Sequence, residues 1–161
     1  MDLNEGILSL NVVEGKLFRD TEMMGKMSPY CTLVYQGNKL KTKVHSYGGK
    51  LPKWEHEFKL DVQSASDEIV LRVWDQDLTS SDAVGFTKIK MSSLIINKGV
   101  DDWFTIMFDN KPAGEIRLTT VFEPVGGDEY DNMKEEYESQ QEQLIKEKEE
   151  AEAEAARLQE Q

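Results

Sequence analysis

The sequence predicts an all-β fold, an eight-stranded antiparallel Greek-key β-sandwich, followed by a C-terminal acidic α-helix. Residues 1–124 contain eight short runs of alternating apolar residues separated by turn signals, and no helical pattern long enough to cover a parallel sheet. Residues 129–161 are instead rich in Glu, Gln, Ala and Lys, which favour a helix. Residues 125–128 contain two glycines, which favour neither state, so we expect a linker there.

The predicted strands follow from alternation along the chain. In the first strand, Leu8, Leu10 and Val12 have the same parity and therefore share one face. One helical turn is expected at residues 92–96. Aromatic residues that alternate with polar ones are expected in the core, namely Trp54, Phe58, Trp103 and Phe108. The predicted strands span residues 7–13, 30–35, 40–44, 54–62, 69–74, 84–89, 103–108 and 115–122.

Composition argues against several classes of protein. The net charge of -12 argues against nucleic acid as a partner, because phosphate binding depends on Lys and Arg. Cys31 is the only cysteine, so no intrachain disulfide can form and a secreted, disulfide-rich scaffold is not expected. The start of the sequence lacks the basic and apolar regions of a signal peptide, and no apolar stretch approaches the roughly 20 residues of a membrane helix. We expect a cytoplasmic protein whose membrane contacts are peripheral and reversible.

An acidic loop follows the predicted strand at residues 69–74. Asp75, Asp77 and Asp82 place three carboxylates within eight residues, and Gly85 closes the segment. Crowded carboxylates repel one another, and solvent, a basic side chain or a hard cation relieves that repulsion. An Asp-x-Asp segment that leaves a rigid strand suits a cation, although Asp is also common in ordinary polar turns.

Several short motifs resemble those of the C2 domain family in order and spacing. They are Ser28-Pro29-Tyr30, Lys41-Thr42-Lys43, residues 52–58 and Val73-Trp74-Asp75-Gln76-Asp77. The resemblance extends over residues 5–124. The chain is particularly similar to the small single-domain C2 proteins of plants and protists, which share the pattern Asp20-Thr21-Glu22. This resemblance implies a sandwich whose loops at one end bind Ca²⁺ and dock on anionic phospholipid.

The resemblance also implies a set of calcium ligands. The five acidic positions of the family fall on Glu22, Ser28, Asp75, Asp77 and Asp82. Ser28 departs from the pattern because a neutral hydroxyl replaces a bridging carboxylate, and Asp20 is the candidate substitute. The expected metal ligands are Asp20, Glu22, Asp75, Asp77 and Asp82, with Ca²⁺ as the cofactor.

A stripe of lysines is a candidate surface for lipid headgroups. Period-two spacing puts Lys39, Lys41 and Lys43 on one face of a strand. In the family, a patch of this kind binds phosphoinositide headgroups, and the aromatics that flank it match Tyr30 and Trp74. The alternative is a solvated edge strand that lysine keeps soluble.

The tips of the acidic loops carry apolar side chains. Met23, Met24 and Leu78 fall where such residues would face the bilayer, and methionine adapts well to irregular surroundings. The alternative interpretation is that the three side chains pack against neighbouring loops.

The acidic tail has a weak seven-residue repeat. Its companion positions are mostly polar, so a solvated helix or a weak coiled coil is expected. Either form could bind a protein partner, including a cytoskeletal or coiled-coil assembly. The residues at the repeating position are Tyr130, Tyr137, Leu144, Ala151 and Leu158.

The sequence shows no arrangement typical of catalysis, neither a nucleophile beside a base nor a phosphate-binding glycine loop, so an enzyme is not expected. The expected function is calcium-dependent, or weakly calcium-dependent, binding to anionic phospholipid membranes. The alternative is a calcium-independent protein-interaction adaptor or cytoskeletal component that uses the sandwich and the acidic tail.

Overall fold

The computed structural model describes residues 5–22, 24–126 and 128–159. Eight strands come first, a short helix and a 3-10 turn connect two of them, and a long helix follows. The strands are β1 (Gly6–Leu17), β2 (Pro29–Tyr35), β3 (Asn38–Lys41), β4 (Lys53–Val62), β5 (Glu68–Gln76), β6 (Ser81–Lys90), β7 (Asp101–Phe108) and β8 (Lys111–Pro124). The helices are α1 (Ser92–Ile95) and α2 (Asp128–Gln159), and the 3-10 turn spans Ile96–Lys98.

The strands form one curled antiparallel sheet in the order β3-β2-β5-β6-β7-β8-β1-β4. Among the described residues, β6 meets β7 through one pair, Phe86 and Met107, so the sheet bends there. Its two four-stranded halves then enclose a common core. Neighbours that lie far apart in sequence, such as β1 and β8, need connections that cross the ends of the sandwich, as in a Greek key. The prediction of eight antiparallel strands followed by a helix is confirmed.

The core lies between the two halves of the sheet. Leu8 and Leu10 of β1 are fully buried, as their alternation predicts. Phe58 packs partly buried against the same core. Trp54 of β4 is 1% exposed, and its indole N–H donates to the Pro29 carbonyl at 2.9 Å. This hydrogen bond ties the core to the start of β2.

The expectation that Trp103 and Phe108 belong to the core is wrong. Both lie on β7, and they are 37% and 36% exposed. The inward positions of this strand are Phe104 and Ile106, and an irregularity directly after Ile106 changes the alternation before Phe108. Cations cover the outward rings instead. Lys16 Nζ lies 4.3 Å from the Trp103 ring centroid. Arg19 Cζ lies 3.7 Å from that of Phe108.

Strand β3 ends earlier than predicted. Alternation suggested residues 40–44, whereas the structure has Asn38–Lys41. The Cys31 N–H donates to Thr42 Oγ1 at 2.9 Å, so a side chain replaces the main-chain acceptor and the β2–β3 ladder stops. Lys43 therefore lies beyond the strand, and the period-two argument covers only the two lysines inside it.

Helix α2 packs its first half against the sandwich. Lys59 Nζ of β4 and Glu136 Oε2 are 3.2 Å apart. Burial and the nearby Asp61 raise the pKa of Tyr137. Two positions of the seven-residue repeat, Tyr137 and Leu144, line a cavity with residues of β3 and β4. Across the described ranges, neither helix combines the length and apolar character needed to span a bilayer.

Candidate functional site

Three carboxylates meet at one end of the sandwich. Asp75 is near the end of β5, Asp77 follows that strand, and Glu22 lies in the segment between β1 and β2. One oxygen atom from each of the three lies within 4.8 Å of the others. Carboxylate oxygens in such an arrangement are suited to a hard divalent cation.

Asp75 is the rigid member of this group. Its side chain is 0% exposed and accepts two hydrogen bonds. Thr21 Oγ1 donates to Oδ2 at 2.7 Å, and the Ser28 N–H donates to Oδ1 at 2.8 Å. These bonds compensate for burial of a charge. Each carboxylate oxygen has a second lone pair, so both can still coordinate an ion.

Glu22 shows the cost of crowding these charges. Hydrogen bonding to Asp75 and Asp77, together with repulsion from both carboxylates, raises the pKa of Glu22 to about 7. In the absence of a cation, the group relieves its repulsion by holding a proton. A bound cation would neutralise the repulsion, and Glu22 would then release its proton.

Asp82 extends the same acidic cluster across to β6. It lies opposite Asp75 in the β5–β6 register. Hydrogen bonding to Asp77 and partial desolvation raise the pKa of Asp82, and the positive charge of Arg19 opposes that shift. The pairing of β5 with β6 therefore brings Asp82 into electrostatic contact with Asp77 and Asp75.

The raised pKa of Glu22 predicts how the stability of the calcium-free protein depends on pH. Between 4.5, the ordinary value, and about 7, the folded state holds a proton that the unfolded chain has released. The free energy of unfolding therefore falls as the pH rises through this window. We expect Glu22→Gln to reduce the fall in melting temperature between about pH 5 and about pH 8, because that variant cannot ionise.

The control for this experiment is Glu138→Gln, which removes an equal charge from an exposed position of α2. Thermal melts of the parent and both variants at the two pH values provide the comparison. Identical pH dependence in the parent and Glu22→Gln would contradict the assignment of the proton to Glu22.

Asp20 and Ser28 lie beside the three carboxylates but use their side chains differently. Asp20 Oδ1 accepts the Glu22 N–H at 2.9 Å, which makes a local turn. Ser28 Oγ accepts the Tyr47 N–H at 3.0 Å and so connects two loops. The main chain of Ser28, rather than its side chain, supports the site through the bond to Asp75.

The loop tips expose two of the three predicted apolar side chains. Met24 is 89% exposed and Leu78 is 105% exposed, so neither packs against a neighbouring loop. Met23 lies outside the described residues. An open depression of about 530 Å³ is lined by Glu22 and Asp77 together with both apolar tips. The carboxylates and the apolar tips therefore border one surface.

The lysine stripe belongs to a wider basic face. Lys41 Nζ lies 4.4 Å from the Tyr30 ring centroid. Thr32 of β2 pairs with Lys41 on one side and with Arg72 on the other, and paired residues of a sheet point to the same side. By the same register, Val34 pairs with Lys39 and Val70, and Val70 pairs with Lys88. We call the exposed residues Lys39, Lys41, Arg72 and Lys88 the basic face.

The two aromatics of this region have internal partners. The Tyr30 hydroxyl lies 2.9 Å from Ser81 Oγ, and the Trp74 indole N–H donates to Thr32 Oγ1 at 3.0 Å. Tyr30 is only 9% exposed, and Lys41 lies over its ring. Lys43 is exposed but lies outside β3.

Sequence reasoning missed four residues of these surfaces. Arg72 and Lys88 could have been found, because Arg72 has the same strand parity as Trp74. Thr21 had a weaker signal, a hydroxyl between two acids. Arg19 had none, since its proximity to Asp82 depends on how the loops fold.

Comparison with known proteins identifies the family. A model of the C2 domain matches residues 6–106. Synaptotagmin-5 of Arabidopsis thaliana is 28% identical over 115 residues, which are 70% of this chain and 20% of that protein. Elicitor-responsive protein 3 of Oryza sativa subsp. japonica is 25% identical over 122 residues, which are 74% of this chain and 85% of that protein. The solved structure of a C2 domain from a plant Extended Synaptotagmin 1 superposes with a TM-score of 0.68 and 18% identity, and the match covers 76% of this chain and 97% of that one.

The family match begins at the first residue of β1 and ends within β7. It therefore includes the three carboxylates and the whole basic face, whereas α2 lies outside it. The resemblance to C2 domains, including single-domain plant proteins, is confirmed. The chain belongs to the C2 domain family.

Proposed function

We propose that this chain is a non-enzymatic C2 module that binds anionic phospholipid membranes in response to Ca²⁺. The observation that supports the proposal is the meeting of Glu22, Asp75 and Asp77 within 4.8 Å. The raised pKa of Glu22 supports the proposal further. The crowded carboxylates take up a proton when no cation is present, and a bound cation would neutralise the same negative charge. Asp82 is proposed as a fourth ligand, and Asp20 as the substitute for the carboxylate that the family pattern has at the position of Ser28.

The chemistry of Ca²⁺ explains why lipid would bind second. The ion takes about six to eight oxygens at about 2.3–2.6 Å, in a flexible arrangement. Three or four carboxylates from this chain leave positions for water and for a lipid phosphate. An empty acidic cluster repels an anionic surface over a Debye length of about 8 Å, and a filled one does so much less.

Apolar and basic residues add to this attraction. Met24 and Leu78 are exposed at the rim of the acidic cluster, and burying such a side chain contributes about 1.5–3 kcal/mol. Met23 is proposed to join them. The basic face, with Lys43, Tyr30 and Trp74 at its margins, supplies attraction to headgroup phosphates. The proposal implies a cytoplasmic protein that associates reversibly with membranes.

One observation favours the alternative, a calcium-independent adaptor for protein partners. The Ser28 side chain is neutral and bonded to Tyr47, and Asp20 is bonded to its own loop, so fewer carboxylates are free than in the family pattern. In that case the sandwich is a scaffold, and the acidic α2 or a cytoskeletal contact supplies the function.

Calcium titration of the full chain separates the two proposals. We expect heat on addition of Ca²⁺ in calorimetry, and calcium-dependent pelleting with vesicles that contain phosphatidylserine. Vesicles of phosphatidylcholine alone are the control, because they lack the net negative charge. If millimolar Ca²⁺ produced neither heat nor pelleting, the membrane proposal would be wrong and the adaptor would remain.

A further inference from the structure

The first half of α2 lies across the open edge of the sandwich. Strands β3 and β4 are the two ends of the sheet order, so neither has a further strand beside it. Tyr35 and Leu40 from the β2–β3 side and Leu60 from β4 share a cavity with Tyr137 and Leu144 of α2. The helix therefore lies against the edge strand β4, and across this cavity it faces β3.

The contact between α2 and this edge is incompletely packed. Two cavities that open to solvent, of about 240 Å³ and 210 Å³, lie between the helix and the strands. Leu144 lines both cavities yet is 57% exposed. Loose packing of this kind indicates that the helix can leave the edge without disrupting the core.

Charge places α2 in competition with other anions. Residues 128–144 contain seven acidic residues and one basic residue. Glu136 already pairs with Lys59, and Lys39 of the basic face lines the same cavity as Tyr137. An anionic ligand that approaches Lys39 therefore meets α2 across this cavity, and the like charge of the helix repels it.

We propose that the first half of α2 is an intramolecular ligand of the open edge, and that it competes with anionic lipid for the Lys39 end of the basic face. Membrane binding and release of α2 are then coupled, so that each favours the other. The lipid part of this inference rests on the proposed function. The release of the helix is measured separately.

Two adjacent residues provide a matched pair of variants. Leu144 and Ile145 are 57% and 58% exposed, but Leu144 lines the cavities and Ile145 does not. Glutamine is a good helix former, so Leu144→Gln and Ile145→Gln both preserve the helix and the net charge. In the full chain, we expect Leu144→Gln to speed amide hydrogen exchange over residues 131–144, and Ile145→Gln to leave it unchanged.

Vesicle binding tests the competition. At a phosphatidylserine concentration that pellets half of the parent in Ca²⁺, we expect Leu144→Gln to bind about fivefold more tightly, and Ile145→Gln to match the parent. Adding the vesicles to the parent should also speed exchange over residues 131–144. Equal binding by the parent and Leu144→Gln would overturn this inference alone. Absence of vesicle binding by all three proteins would overturn the proposed function as well, and unchanged exchange in Leu144→Gln would show that the helix is not released.

Discussion

Asp77→Asn is expected to weaken Ca²⁺ binding by at least about tenfold, which corresponds to about 1.4 kcal/mol. Asp77 is one of the three carboxylates that meet within 4.8 Å, so the variant loses a charged ligand. The same change should raise the melting temperature of the calcium-free protein, because Asp77 raises the pKa of Glu22 through a hydrogen bond and through repulsion, and the neutral amide removes the repulsion. Calorimetric titration and thermal melts without Ca²⁺ measure the two effects.

Asp75→Asn makes a useful comparison, because it removes an equal charge from the same cluster. Asp75 is buried and accepts bonds from Thr21 and from the Ser28 N–H. An amide keeps one acceptor oxygen and replaces the other with an NH₂ donor, so one charge-assisted bond is lost or replaced by a weaker neutral one, at a cost of about 1–3 kcal/mol. We therefore expect Asp75→Asn to lower both Ca²⁺ affinity and stability. Asp102→Asn, at an exposed position of β7, is the control for net charge. Parent-like Ca²⁺ affinity in Asp77→Asn would exclude that carboxylate from the site.

Trp54→Ala is expected to lower the free energy of unfolding by about 3–5 kcal/mol. The side chain is 1% exposed, and domains of this kind have only about 5–15 kcal/mol in total. The effect should also reach the calcium site. The Trp54 indole holds the Pro29 carbonyl, and the preceding residue, Ser28, donates its N–H to Asp75. Urea unfolding without Ca²⁺ measures the loss of stability. The same experiment with Ca²⁺ measures how much the ion still stabilises the variant.

Trp54→Phe separates packing from the hydrogen bond. Phenylalanine retains much of the buried apolar volume but leaves the Pro29 carbonyl without its donor. We expect a smaller loss, of about 1–3 kcal/mol, together with weaker stabilisation by Ca²⁺. If Trp54→Ala unfolded like the parent, the placement of Trp54 in the core would be wrong. If Ca²⁺ stabilised Trp54→Phe as much as the parent, the link from the core to the site would be wrong.

Much of the fold was predictable because alternation is a local property. Residues two apart on a strand share a face, so Leu8 and Leu10 could be assigned to the core without knowing their partners. The acidic loop after β5 was predictable for a similar reason. Asp75 and Asp77 lie two residues apart, and a rigid strand holds them close together.

The wrong expectations arose where a local pattern was interrupted. An irregularity in β7 turned Phe108 outward, and cations rather than apolar side chains covered the exposed aromatic rings. In β3, the Thr42 hydroxyl took a ladder bond and ended the strand. Alternation in sequence does not show where a bulge lies, or where a side chain replaces a main-chain hydrogen-bond acceptor.

The class of fold, the family resemblance and the two aspartates at the end of β5 follow from local sequence patterns. The tertiary structure sets which other groups join them. Thr21 and Asp75 are 54 residues apart in the chain, yet they form a 2.7 Å hydrogen bond that brings Glu22 beside the aspartates. It also decided that the Ser28 side chain turns to Tyr47, and that α2 rests on an open sheet edge rather than standing free. These outcomes depend on closing long loops and on which surfaces remain uncovered, whereas spacing patterns report only on neighbours a few residues apart.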